Sequence, residues 1–182
     1  AWQELVVDIE KLLQRFHSAN SLKEGLNRED LRHQCGRQRS ELFDAVLSQM
    51  SDEGAVNLVG ALVRSARHQI SFSQDEERLR SRMEEELKSA DFGGMPDSRE
   101  LSKRLQIEEK AVAQLLRAMQ SLGSVIYLDE TLFLHSDTMA AARTKLRDYL
   151  EVNTGITVSQ FRELINSNRK YALALLNRFD SD

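Results

Sequence analysis

Apolar positions recur at helical spacing along most of the chain. Leu5, Val6, Ile9, Leu12, Leu13 and Phe16 share one face at a period of 3.6 and predict an amphipathic helix. Asn27 precedes Arg28-Glu29-Asp30-Leu31. That order predicts a short capped helix, because an Asn side-chain oxygen accepts from first-turn N–H groups. Cys35-Gly36 ends it, and Leu42, Phe43, Val46, Leu47 and Met50 mark a third helix that stops near Gly54. Ala55–Val63 then holds two short apolar runs around Gly60, the pattern of a β-hairpin.

The same order returns. Leu79, Met83, Leu87 and Ala90 line a helix, and Asp97 with Glu100 repeats the capping pair ahead of Leu101. Leu105-Gln106-Ile107 makes a turn, and Val112, Leu115, Leu116, Met119 and Leu122 give the next helix. Gly123 follows where a left-handed cap belongs. Val125–Leu128 and Thr131–Leu134 flank Asp129-Glu130 as a second hairpin. A third copy starts with Met139, Ala142, Leu146, Tyr149 and Leu150. Thr157-Val158-Ser159-Gln160 is a capping box, with Phe161 and Leu164 facing inward. Ser167 is expected to cap a last helix with Tyr171, Leu175, Leu176 and Phe179 on one face. Helix, helix-turn-helix and hairpin make a winged helix. The expectation is a mainly α fold with small β-hairpin wings, in tandem winged-helix modules at 1–72, 73–136 and 137–182. The third module has its wing missing or truncated. Units this small bury little core each, so neighbouring copies are expected to pack together.

Composition narrows the function. One Pro and eight Gly in 182 residues speak against a β-sandwich and long linkers. No apolar run of ~18 residues is present, and Ala1-Trp2-Gln3-Glu4 does not open a signal peptide. The missing initiator Met reads as a fragment, and a single Cys fits a reducing cytoplasm. There is no GxxxxGK[ST], GxGxxG or HExxH. His17, His33, His68 and His135 lack metal-ligand spacing, Cys35 has no paired His, and Glu84-Glu85-Glu86 reads as a solvated face. Neither catalysis nor a cofactor is expected.

Charge singles out the last module. Residues 1–72 carry 9 Lys/Arg against 10 Asp/Glu, residues 73–136 carry 9 against 13, and residues 137–182 carry 7 against 6. The acidic middle module would repel a phosphate backbone and reads as a spacer. The third places Arg143, Lys145 and Arg147 on its first helix, Arg162 on its second and Arg169-Lys170 at the start of its last. A helix start offers free N–H groups and a positive dipole end to phosphate. Ser167 and Asn168 add hydrogen-bonding groups, Arg169 grips phosphate with two bonds, and Tyr or Arg stacks on unpaired bases. The candidate RNA-binding set is therefore Arg169, Lys170, Asn168, Ser167, Arg162, Arg143 and Arg147. The bland alternative is a capped helix whose basic side chains point to water. Arg37-Gln38-Arg39 sits at the equivalent place in the first module but has no basic cluster around it.

Asn166-Ser167-Asn168-Arg169-Lys170-Tyr171-Ala172, then Leu175-Leu176 and Phe179-Asp180, resembles the SRKYA…LL…FD signature of the last winged helix in the SelB family of selenocysteine-specific elongation factors. Phe16-His17, Leu22, Gly25 and Arg28-Glu29-Asp30-Leu31-Arg32 resemble that family's FH…PL..G…REELR segment, with Ser21 in place of the usual Pro. The likeness runs from about Leu12 to Asp182. It implies a monomeric RNA-binding fragment of a translation elongation factor. The fragment would bind the SECIS hairpin of selenoprotein messenger RNA, so that selenocysteine enters at UGA on the ribosome. The GTPase part would lie N-terminal. Asn168 stands where the signature has Ser, and the family's basic wing with its TRR-like run is missing. Charge places binding in residues 137–182 alone. The readings from other classes are a tandem winged-helix protein-interaction scaffold and a DNA-binding regulator.

Overall fold

The computed structural model describes residues 2–36 and 40–181; Arg37-Gln38-Arg39 lies outside them. The chain divides into two compact units, Ala1–Phe72 and Ser73–Asp182. In the first, helices α1 (Trp2–Ala19), α2 (Arg28–Cys35) and α3 (Ser40–Asp52) surround a core of Leu5, Ile9, Leu13, Leu31, Phe43, Val46, Leu47 and Met50. The expected hairpin is β2 (Val56–Val59) and β3 (Leu62–Ser65), turning at Gly60 with φ +58°. A third strand, β1 (Leu26–Asn27), pairs antiparallel with β3 to give the order β1-β3-β2. Gly25 makes that pairing possible, since a Cβ there would lie 2.8 Å from the Val63 carbonyl oxygen. Asn27 caps α2 as expected, accepting from the Glu29 N–H at 2.9 Å.

One feature of the first unit departs from the sequence reading. Leu42 is exposed, on the outer side of α3 from Phe43 and Val46. His17, in the last turn of α1, is buried, with its ring stacked on His68 at 3.6 Å. The Ser65 N–H donates to His17 Nε2 at 3.3 Å, which leaves the ring proton on a buried Nδ1 without an acceptor. Burial foremost, then the charges of His68 and Arg64, pushes its pKa down to about 4.

The second unit holds two helix-turn-helix sets. The first comprises α4 (Gln74–Ser89), α5 (Ser98–Leu105), α6 (Glu109–Ser121) and the hairpin of β4 (Val125–Tyr127) and β5 (Phe133–His135). The second comprises α7 (Ser136–Leu150), α8 (Val158–Leu164) and α9 (Arg169–Ser181). Capping boxes open α4, α5 and α8, at Ser73–Glu76, Asp97–Glu100 and Thr157–Gln160. The repeat extends to backbone detail. Gly54 and Gly123 both hold positive φ after the helix that leads into a hairpin. The next residue's N–H then returns to the carbonyl of Met50 or Met119. Leu122, the C-cap of α6, is exposed rather than on the core face of that helix. Glu84 and Glu86 are not merely solvated: Glu84 pairs with Arg80 at 3.1 Å and Lys88 at 2.9 Å, and Glu86 with Arg104 at 2.9 Å.

No connector separates β5 from α7. His135 ends the strand and is also the N-cap of the helix, its Nδ1 accepting from the Asp137 N–H at 3.0 Å. That bond puts the ring proton on Nε2, 3.3 Å from the Glu84 carboxylate. Among the described residues, no helix is long and apolar enough to cross a membrane, and no group of three or more His, Cys, Asp or Glu could hold a metal ion.

Candidate nucleic-acid interface

The start of α9 is set by how α8 stops. Asn166 takes the left-handed conformation, with φ 51°. The N–H of Ser167 donates to the Arg162 carbonyl at 2.9 Å, and that of Asn166 to the Glu163 carbonyl at 3.2 Å. These two bonds are a Schellman closure of α8. Ser167 is thereby the last residue of the turn, and the capping role expected of it passes to Asn168. The Asn168 Oδ1 accepts from the Tyr171 N–H at 3.0 Å, and its carbonyl accepts the first helical bond, from Ala172. Arg169 is then the first helical residue. By helix geometry its N–H and that of Lys170 lack intrahelical acceptors.

The seven sequence candidates fall into separate places. Arg169 is exposed at the first turn of α9, which carries no acidic residue, and among the described residues no acid pairs with its guanidinium. Lys170 is also exposed, but its Nζ reaches Thr131 Oγ1 at 3.5 Å on the β4–β5 loop, and its charge helps hold Asp129 ionised. Asn168 is occupied as the cap. The Ser167 hydroxyl donates to the Phe92 carbonyl at 3.1 Å and so is turned away from the surface where RNA contact was expected. Arg162 lies 3.3 Å from its neighbour Glu163, and Arg147 lies 3.3 Å from Asp148. Arg143 lies over the ring of Phe179, 5.1 Å from its centroid. Phe179 is ten residues beyond Arg169, so Arg143 stands about 15 Å along the helix from the first turn. The structure joins Asn168, Arg169 and Lys170 at one end of α9 and does not bring Arg143 to that end.

The neighbours of this end come from residues 73–136, which charge alone had marked as a spacer. Tyr171 is buried, and its hydroxyl donates to the Phe133 carbonyl on β5 at 3.2 Å. Burial foremost, with the nearby charges of Asp129, Asp97 and Glu100, pushes this phenol up to about 12. A Cβ on Gly93 would meet the Asn166 carbonyl oxygen at 3.3 Å, so two backbones meet closely between Phe92-Gly93 and the α8–α9 turn. Asp129 shapes the loop beneath Lys170: its Oδ1 accepts from the N–H groups of Thr131 and Leu132, each at 2.7 Å. Those bonds hold its carboxyl below the usual carboxylate range. The sequence carried one usable signal for this contact, since a Tyr on an apolar helix face needs an acceptor for its hydroxyl. Nothing in the spacing of Phe92, Gly93 or Phe133 said that they supply the surroundings.

Comparison with known proteins adds the relatives. Residues 11–64 and residues 148–182 each match a family model described as "Elongation factor SelB, winged helix". A selenocysteine-specific elongation factor from Desulfomicrobium baculatum is 26% identical over 172 residues, covering 93% of this chain and 27% of that protein. The chain thus spans about a quarter of the length of the curated relative it matches. The mRNA-binding domain of elongation factor SelB from E. coli, solved in complex with SECIS RNA, superposes with a TM-score of 0.52 at 21% identity, over 60% of this chain and 88% of that one. A bacterial selenocysteine-specific elongation factor EF-Sec gives a TM-score of 0.57 at 16% identity, over 99% of this chain and 27% of that one. With helix-turn-helix sets in both units and SelB winged-helix models matching one segment of each, the chain resembles the C-terminal winged-helix region of the selenocysteine-specific elongation factor SelB.

Proposed function

We propose that this chain is the messenger-RNA-binding part of a selenocysteine-specific elongation factor. It would hold a SECIS hairpin so that the parent factor delivers selenocysteine at UGA on a ribosome in the cytoplasm. It would act as a monomer, without a cofactor or catalytic step of its own. The observation that carries this reading is Arg169. It is an exposed guanidinium on the first residue of a helix capped by Asn168, beside two N–H groups without intrahelical acceptors. A phosphate docked there meets the dipole, the N–H groups and a two-pronged cation together. The likeness to a SelB domain solved in complex with SECIS RNA supports RNA as the ligand. The test is a gel shift of the chain with a SECIS hairpin and with a loop-mutated control. Preference for the intact hairpin supports the proposal, and equal binding removes it.

A protein-interaction scaffold is the second reading. It draws on the first unit, where Leu58 and Val59 of the edge strand β2 and Leu42 of α3 are exposed. A protein partner captured through residues 1–72, with no hairpin preference in the gel shift, would favour it.

A further inference from the structure

The first turn of α9 is held from below at several points, and every one belongs to residues 73–136. The Tyr171 hydroxyl donates to the Phe133 carbonyl, and the Ser167 hydroxyl to the Phe92 carbonyl. Gly93 lets its backbone approach the Asn166 carbonyl as closely as a missing side chain allows. Lys170 reaches Thr131 at the loop of the hairpin. Packing alone would bury a phenyl ring in any of several rotations. A hydroxyl aimed at one backbone carbonyl selects among them, because a hydrogen bond fixes both distance and direction. Helical residues advance by about 100° each, so Arg169, two positions before Tyr171, projects from nearly the opposite side. Drawing Tyr171 down onto β5 therefore aims Arg169 outward.

We propose that the Phe92-Gly93 turn and strand β5 form a seat that sets the position and pitch of the first turn of α9, and that Tyr171 is a positioning residue for RNA capture. Tyr171 touches no RNA; it acts through the helix that presents Arg169. The acidic second module is then a working half of the interface rather than a spacer. This inference rests on the RNA-binding reading above.

The test uses the full chain, a SECIS hairpin and its loop-mutated control. Tyr171→Phe keeps the ring and removes the hydroxyl. Ser167→Ala removes the second bond, Ser167→Thr restores a hydroxyl, and Gly93→Ala pushes the two turns apart. Each variant is expected to melt within a few degrees of the parent. Tyr171→Phe and Ser167→Ala should each weaken hairpin binding about fivefold, the equivalent of one ordinary hydrogen bond, and Ser167→Thr should recover most of it. Their dependence of affinity on salt should stay that of the parent, because the phosphate contacts are intact, whereas Arg169→Ala should flatten the slope by about one contact. Parental affinity in Tyr171→Phe overturns the proposal, and so does a slope flattened as in Arg169→Ala. If the parent itself does not distinguish the hairpin from its control, the RNA reading fails and the seat is judged on the free protein. Faster amide exchange at Ala172–Leu175 in Tyr171→Phe then supports the seat, and unchanged exchange overturns it.

Discussion

Among the described residues no acid pairs with Arg169, while Lys170, Arg162 and Arg147 each stand beside a neighbour from this chain. Arg169→Ala is expected to weaken hairpin binding by on the order of 1.5–3 kcal/mol, roughly ten- to a hundredfold. Arg169→Lys should recover part of that, since an ammonium lacks the planar fork. Thermal stability should hardly change, and a melt paired with a titration measures both. An early melt with unaltered binding of the folded protein would make Arg169 structural. His17 offers a different residue-scale test. Its pKa falls from 6.5 unfolded to about 4 folded. Between those values the unfolded chain binds a proton that the folded one refuses. Stability is therefore fully present above about pH 6.5, falls as pH drops, and levels out below about pH 4, with a total loss of about 3 kcal/mol from this group. Trp2, the single tryptophan, packs against the core of the first unit and reports its melting by fluorescence. His17→Gln keeps an acceptor for Ser65 and should flatten the decline between pH 7 and 5. A decline equal to the parent's would assign the acid sensitivity to other groups.

At the scale of elements, the helices were legible because period, caps and breakers agreed. The capping boxes at Asp97 and Thr157 and the positive φ at Gly123 lie where spacing put them. What spacing could not give is where one cap ends and the next begins. Ser167 and Asn168 are both good caps, and the choice falls to Asn168 only because the Schellman closure of α8 takes up Ser167. Asn168→Ala should accordingly cost the second unit about 1 kcal/mol, whether or not RNA is present. At this chain length that is a drop of roughly 2–4 °C in Tm. An unchanged Tm would return the cap to Ser167. Strand β1 was missed because two residues carry no periodicity; Gly25 was its trace, read from sequence only as part of a resemblance. Gly25→Ala should destabilise the first unit by about 1–3 kcal/mol, since the obstacle is the Val63 backbone and not a side chain that can swing aside. Chemical denaturation followed by Trp2 fluorescence would measure it.

For the whole molecule, the order of helices and hairpins was readable from the sequence, but the surroundings of the site were not. Charge put RNA capture in residues 137–182 alone. The bonds of Tyr171 and Ser167 to Phe133 and Phe92 cross that boundary, and long-range contacts of this kind leave no mark on local patterning. A chain of residues 137–182 would leave the Tyr171 hydroxyl and the α8–α9 turn without their acceptors. It is expected to lose cooperative melting and most hairpin affinity, whereas residues 73–182 should retain both. Circular dichroism melts and gel shifts of the two pieces decide the matter, and full affinity in the shorter one restores the expectation from charge. The salt dependence should be modest in either case. Three to five phosphate contacts give a log–log slope of about −2 to −4, and a slope near −10 would need a basic surface that a chain of net charge −4 does not carry.

The junction at His135 has a bearing on how such a chain could be cut and rejoined. One residue closes a strand and opens a helix, so the second and third repeats share a joint with no slack in it. A gene fusion spliced between residues 135 and 136 would sever at once the cap of α7 and the bond from the Ser136 N–H to the Ser124 carbonyl. Between the units, residues 66–73 run from the end of β3 to the cap of α4 without a helix or strand. Exchange of pieces among relatives should therefore be tolerated there, and the last two repeats should travel as one heritable block.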